Sequence, residues 1–258
     1  MKYFDTHTHT NDEQLLIQFN EIKKTLIENE FGMNIIGVDL ESSKLAVNQA
    51  LEHNNFYASI GIHPDEILDD SLVDKTMQEL ENLYYKNPHK IKCIGECGID
   101  LYRGQTNLDS QILWFKKQFE LAKKLNLVLM IHARDAYPEL LDVLKSWDLS
   151  NMKIIIHCYT GNVEYAKEFQ KLGCYISIGG IVTFKNAENL RDVVRNIDLN
   201  LLITETDAPY LTPVPFRGKL NYPYYVQYVN EFIANLLNIN IDEFNNLIMN
   251  NVKTIFNI

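Results

Sequence analysis

The chain has 258 residues, 46% hydrophobic and 22% charged, ordinary proportions for a globular protein. Seven prolines and eleven glycines exclude a collagen-like or broadly disordered chain. A net charge of −10 argues against a broad basic face that coats nucleic acid, yet leaves room for a local basic cleft or a metal-charged site.

In chain order, apolar runs of strand length alternate with helix-periodic stretches. Tyr3–Thr6 predicts a first strand and Glu13–Asn29 an amphipathic helix. Met33–Val38 follows as a strand, with Ser42 and Ser43 as caps of the next helix. Phe56–Ile62 and Ile91–Gly95 predict two further strands around a helix at Leu72–Tyr85. Asp109 or Ser110 caps a helix over Gln111–Leu125, whose apolar face carries Trp114, Phe119 and Ala122 and whose wet face carries four lysines. Leu127–Ile131, Lys153–Ile156, Cys174–Ile178 and Leu201–Thr204 complete eight strands, and Gly173 closes a helix over Val163–Leu172.

No Gly/Ser-rich or Pro-rich linker divides the sequence, so residues 1–258 read as one domain. Eight strand–helix units in this length predict a parallel (β/α)8 TIM barrel. A doubly wound open sheet is the alternative, but neither G-x-G-x-x-G nor G-x-x-x-x-G-K-[ST] occurs. No run approaches the roughly 18 consecutive apolar residues of a membrane helix. The opening MKYFDTHTHT turns polar too early for a signal peptide. Cys93, Cys97, Cys158 and Cys174 form no C-x-x-C pair and read as reduced thiols of a cytoplasmic protein.

Five of the seven histidines stand where a predicted strand runs out: His7, His9, His63, His132 and His157. Glu96 ends the fourth strand, and Glu205 and Asp207 follow the eighth. In a barrel these C-terminal strand ends converge on one mouth, where active sites lie. His53 and His89 fall in helix or loop and read as structural or surface groups. Within Asp5-Thr-His7-Thr-His9, alternation puts both imidazoles on one face roughly 6.5–7 Å apart, suited to gripping one divalent ion. Asp5 shares their parity and is expected to orient His7. Imidazoles mixed with carboxylates suit zinc, manganese or iron. Alternation points Cys97 and Cys158 to the opposite face, as packing residues.

Nine segments then carry a family resemblance over almost the whole chain: DTHTH (5–9), GIHPD (61–65), IGECGID (94–100) with Tyr102-Arg103, and Gln111…Phe115…Gln118, followed by IHARDA (131–136), HCYTG (157–161), TFKNA (183–187), ETDAPYL (205–211) and RGKLNYP (217–223). In this order they resemble the TatD family of metal-dependent hydrolases, within the amidohydrolase-like barrel superfamily. That family usually has Glu where Tyr222 stands and an aromatic where Leu101 stands, departures that bear on substrate rather than chemistry.

The resemblance implies two divalent ions per chain, zinc, magnesium or manganese. His7, His9, Glu96 and Asp207 would hold one, and Glu96, His132 and His157 the other, with Glu96 shared. Such a pair activates water and clamps a phosphodiester. Asp207 is the expected general base, with Glu205 as its rival. Arg103, Arg134, Arg217 and Lys219 are candidate phosphate contacts, Arg134 and Arg217 foremost, with His63 beside the metals touching phosphate or leaving group rather than coordinating. The leading expectation is a deoxyribonuclease acting on DNA ends or single strands, as a monomer needing no protein partner and no membrane. The alternatives are an ester, amide or misacylated-tRNA hydrolase using the same site, and a metal-stabilised binding protein without turnover.

Overall fold

The computed structural model describes residues 1–67, 69–103 and 107–258. Eight strands follow one another in sequence order around a single parallel sheet: β1 (Tyr3–Thr8), β2 (Phe31–Ile36), β3 (Phe56–Ile60), β4 (Ile91–Asp100), β5 (Val128–Arg134), β6 (Lys153–Ile156), β7 (Tyr175–Ile178) and β8 (Leu202–Thr204). Because β8 is so short, the seam with β1 is made just beyond it. Thr8 bridges Ala208 in parallel, and the N–H groups of Asp207 and His9 donate to the carbonyls of His7 and Ala208 at 2.9 and 2.7 Å. The result is the expected (β/α)8 barrel.

Helices cover the outside: α1 (Glu13–Leu16), α2 (Phe19–Glu28), α3 (Leu40–Ala50), α4 (Val73–Lys86), α5 (Leu108–Leu125), α6 (Tyr137–Ser146), α7 (Val163–Lys171), α8 (Glu188–Asn196), α9 (Val226–Leu237) and α10 (Ile241–Phe256). They bury an apolar layer against the sheet; on α5, Phe115 and Phe119 pack tilted against Trp147, their ring centroids 4.8 and 4.6 Å from its own. Fully buried side chains of this size contribute about 1.5–3 kcal/mol each. Among the described residues no helix is long and apolar enough to cross a membrane.

Several local expectations are corrected. The helix expected over 13–29 is two, because the backbone leaves helical geometry at Gln18. Asp39, not Ser42 or Ser43, caps α3: its carboxylate accepts from the Ser42 N–H at 2.6 Å while Ser42 Oγ accepts from the Asp39 N–H at 3.0 Å. Asn107 rather than Asp109 or Ser110 caps α5, accepting from the Ser110 N–H at 2.9 Å. Gly173 follows α7 at φ +82°, the left-handed turn a glycine accommodates.

The largest correction bears on the site. β4 does not end at Gly95 but continues to Asp100, with its register to β5 shifting between Ile94 and Cys97. Gly95 and Gly98 sit at φ +132° and +143°, where a Cβ would press on the Met130 and His132 carbonyl oxygens at 2.3 and 2.1 Å. This close approach presents Glu96 above the sheet and carries Asp100 up to the rim. Beneath, the barrel interior is polar. Thr6 Oγ1 lies 3.3 Å from Ser177 Oγ across it, and Ser59 Oγ donates to the Gly95 carbonyl at 2.6 Å. These groups form a hydrogen-bonded floor under the mouth.

Candidate metal centre

Six sequence-selected ligands meet at the C-terminal mouth. The first group comprises the His7 and His9 Nε2 atoms, 3.1 Å apart, with Asp207 Oδ1 at 3.6 and 3.4 Å from them. Glu96 Oε2 lies 3.3 Å from His7 Nε2 and 3.7 Å from His9 Nε2. The second group comprises His132 Nδ1 and His157 Nε2, 3.2 Å apart, with Glu96 Oε1 at 2.9 and 2.8 Å. The His7 and His157 rings stack at 3.9 Å between centroids, which joins the groups side by side.

The donor geometry itself tests whether a metal fits. Bonds of 2.0–2.1 Å in a tetrahedral shell put neighbouring donors about 3.3–3.4 Å apart. The observed separations in the first group, 3.1–3.7 Å, bracket that spacing. The first group fits a metal; the donors of the second, 2.8–3.2 Å apart, are drawn in to hydrogen-bond distance.

Two further carboxylates stand behind the imidazoles. Asp100 Oδ2 is 2.9 Å from His132 Nε2, the nitrogen facing away from Glu96. Glu205 Oε1 is 3.4 Å from His157 Nδ1. Both pairs contribute to clusters whose atoms lie within 4.8 Å of one another, but each carboxylate addresses the far nitrogen of a ring whose near nitrogen faces Glu96. Asp100 is therefore an outer partner hydrogen-bonded to its ring, while Glu205 sets a negative charge beside His157 Nδ1 without a hydrogen bond.

Electrostatics follow from this crowding. Burial alone would raise the Glu96 carboxyl, but the imidazoles of His157 and His7 and hydrogen bonds from His132 and His157 hold it well below the usual carboxylate range. Burial likewise opposes the charge on His132 and His157. The Asp100 and Glu96 bonds nonetheless raise His132, and Glu96 with Glu205 raises His157 well above its ordinary value. At His7 burial wins, aided by the neighbouring His157, and its pKa falls. Burial also pushes His63 down to about 3 despite Glu96 nearby. Asp100 is held at about 2: burial opposes, but the His132 bond and the Arg103 N–H outweigh it.

The remaining sequence candidates lie in different places. His63 reaches the site, with Nε2 3.7 Å from Glu96 Oε1. Arg134 and Arg103 line the mouth cavity, of about 720 Å³. Arg217 does not; it is exposed and stacks on Phe184 with its guanidinium carbon 4.4 Å from the ring centroid. Asp5 does not orient the His7 ring: it accepts from the backbone N–H groups of His7 and Thr206, at 3.3 and 2.8 Å. His7 Nδ1 is buried without a hydrogen-bond partner. Cys97 is buried as expected. Cys158 instead lines the cavity, because β6 ends at Ile156 and the backbone turns at Cys158 to φ +44°, cancelling alternation. Glu205 and Asp207 separate for the same reason. Glu205 is fully buried, accepting from the Cys158 N–H at 2.7 Å and from Ser177 Oγ, while Asp207, at φ +56°, faces the cavity. Asp100 was missed, although its parity with Glu96 along β4 was there to be read.

The family pattern described as TatD related DNase matches residues 4–257. An uncharacterized metal-dependent hydrolase of Mycoplasma genitalium is 38% identical over 267 residues, covering 99% of each chain. The uncharacterized metal-dependent hydrolase YabD of Bacillus subtilis is 38% identical over 257 residues, again covering 99% of each. Among solved structures, the TatD homologue YjjV of Escherichia coli superposes with a TM-score of 0.91 at 26% identity, covering 100% of this chain and 98% of that one. Fold, ligand geometry and relatives agree: the chain belongs to the TatD family and is a metal-dependent hydrolase.

Proposed function

We infer that this hydrolase, acting as one domain, cleaves phosphodiester bonds at DNA ends or in single strands with two divalent ions, zinc, magnesium or manganese. The observation that carries the two-ion reading is Glu96, whose Oε2 faces His7 and His9 while Oε1 faces His132 and His157. A carboxylate with each oxygen given to a different imidazole pair is arranged as a bridge. Ions held by these residues would supply Lewis acidity at a phosphate and make a water more acidic.

The protein groups divide the remaining work. Asp207 accepts the water's proton: it faces the cavity, and the His9 hydrogen bond counters burial to keep it ionised. Glu205 has no such access, being enclosed by Ser177, Cys158 and His157. His63 Nδ1 accepts from the Asp65 N–H at 3.1 Å, so its ring proton sits on Nε2 and turns toward the site as a neutral donor to a substrate oxygen. Arg134 offers charge at the rim, while Arg103 is engaged by Asp65 Oδ2 at 2.9 Å. A cavity of about 720 Å³ fits a nucleotide-sized group rather than a duplex.

The test is to deplete the protein of metal and reconstitute it. It is then offered end-labelled single- and double-stranded DNA beside p-nitrophenyl acetate. The reading expects metal-dependent loss of terminal nucleotides, faster from single strands. Ester hydrolysis with no DNA cleavage would transfer the same site to carboxylic esters.

A further inference from the structure

The carboxylate that orients His132 also builds part of the rim. While Asp100 Oδ2 meets His132 Nε2, Oδ1 accepts from the backbone N–H groups of Tyr102 and Arg103, each at 2.9 Å. The Leu101 N–H donates to the Arg134 carbonyl at 3.0 Å, so the turn stays fastened to the end of β5. On this turn Tyr102 is 64% exposed. The Arg134 guanidinium covers one of its faces, its central carbon 3.8 Å from the ring centroid, yet most of the side chain's surface stays exposed. Arg134 lines the cavity and lies two residues beyond His132, about 6.6 Å along the strand.

An exposed ring backed by a cation, on a turn pinned by the carboxylate behind His132, is open to a ligand. Every nucleobase has a π-face, and stacking on an aromatic side chain or a guanidinium plane is how unpaired bases are held without reading their identity. We propose that the Tyr102–Arg134 pair is a stacking seat for the unpaired terminal nucleobase of the substrate, placing the adjoining phosphate at the metal centre. This rests on the nucleic-acid reading above and adds to it a requirement for an unpaired base. A paired terminal base is already stacked and bonded to its complement, so the seat favours single strands and frayed ends.

The test compares two end-labelled single-stranded oligodeoxynucleotides, one ending in a normal nucleotide and one in an abasic residue, on reconstituted wild type, Tyr102→Ala and Tyr102→Phe. Stacking of one base predicts that wild type has a KM about 5- to 150-fold higher for the abasic end, with kcat changed much less. In Tyr102→Ala that penalty shrinks toward one, because the base-bearing end has lost its seat. In Tyr102→Phe, which keeps the ring, it persists. A full abasic penalty in Tyr102→Ala, or its loss in Tyr102→Phe, would overturn the stacking seat while leaving the nuclease reading intact. Cleavage of neither oligonucleotide by wild type that still hydrolyses p-nitrophenyl acetate would remove both.

Discussion

Glu205→Gln separates orientation from proton transfer, and the structure sets its size. Glutamine keeps the length and one carbonyl oxygen, which can stay on the Cys158 N–H where Glu205 Oε1 now accepts at 2.7 Å. Its amide nitrogen would face Ser177 Oγ, whose own proton can turn to Thr6 Oγ1, 3.3 Å away. Buried donors and acceptors thus remain matched, and the cost should stay near one net hydrogen bond, about 1 kcal/mol. What disappears is the negative charge 3.4 Å from His157 Nδ1, which fixes the ring and makes Nε2 a better metal donor. Metal affinity should fall about 10- to 100-fold, the usual effect of losing such an outer partner. Glu205→Ala, which strands the same partners, should cost about 3–5 kcal/mol. Competition with a chromophoric chelator gives the affinity, and urea unfolding of the metal-depleted protein gives the stability. If Glu205→Gln binds metal as wild type does yet turns over roughly 10²–10⁴-fold more slowly, Glu205 is the base and the orientation argument fails.

Asp207→Asn should keep the fold and much of the metal while losing roughly 10²–10⁴ in rate, with metal content and turnover measured on the same samples. Arg134→Ala should weaken binding of single-stranded DNA and flatten its salt dependence, whereas Arg217→Ala, outside the cavity, should leave the slope unchanged; equal slopes for wild type and Arg134→Ala would remove Arg134 from the phosphate. In the metal-depleted protein the raised pKa values of His9, His132 and His157 stabilise the fold fully below the unfolded imidazole pKa of about 6.5 and progressively less above it. The melting temperature of the chelator-treated protein should therefore fall from pH 6.5 to 9, and a rise over that interval would contradict the assigned cluster.

The barrel was legible because its strands are short apolar runs separated by amphipathic helices, and a parallel barrel is the arrangement that buries both faces of such strands. The ligands were legible because a barrel gathers strand ends in one place, so chemistry scattered from His7 to Asp207 had a common destination. What escaped depended on backbone turns. Leu15, Phe19, Ile22 and Leu26 keep unbroken helical spacing across the gap between α1 and α2, so periodicity could not see the break at Gln18. Alternation failed wherever a strand had already ended: Cys158 and Asp207 both sit at positive φ, which turned one toward the cavity and parted the other from Glu205. On β4 it was the predicted strand end that misled, since the strand runs on past Gly95 and lifts Asp100, at the parity of Glu96, to His132. Arg217 lies in a matching family segment, yet only the fold shows that its guanidinium rests on Phe184.

A Glu96 shared between two donor sets would hold two ions, so the number of ions bound per chain, followed together with activity, is the most direct measurement. Metal-depleted wild type would be titrated with zinc or manganese while elemental analysis and cleavage of end-labelled single-stranded DNA are read on each sample. The account predicts two ions per chain, activity that rises with the second equivalent, and a Glu96→Ala variant that holds fewer ions and is nearly inactive. One ion per chain in both wild type and Glu96→Ala, with equal turnover, would contradict it.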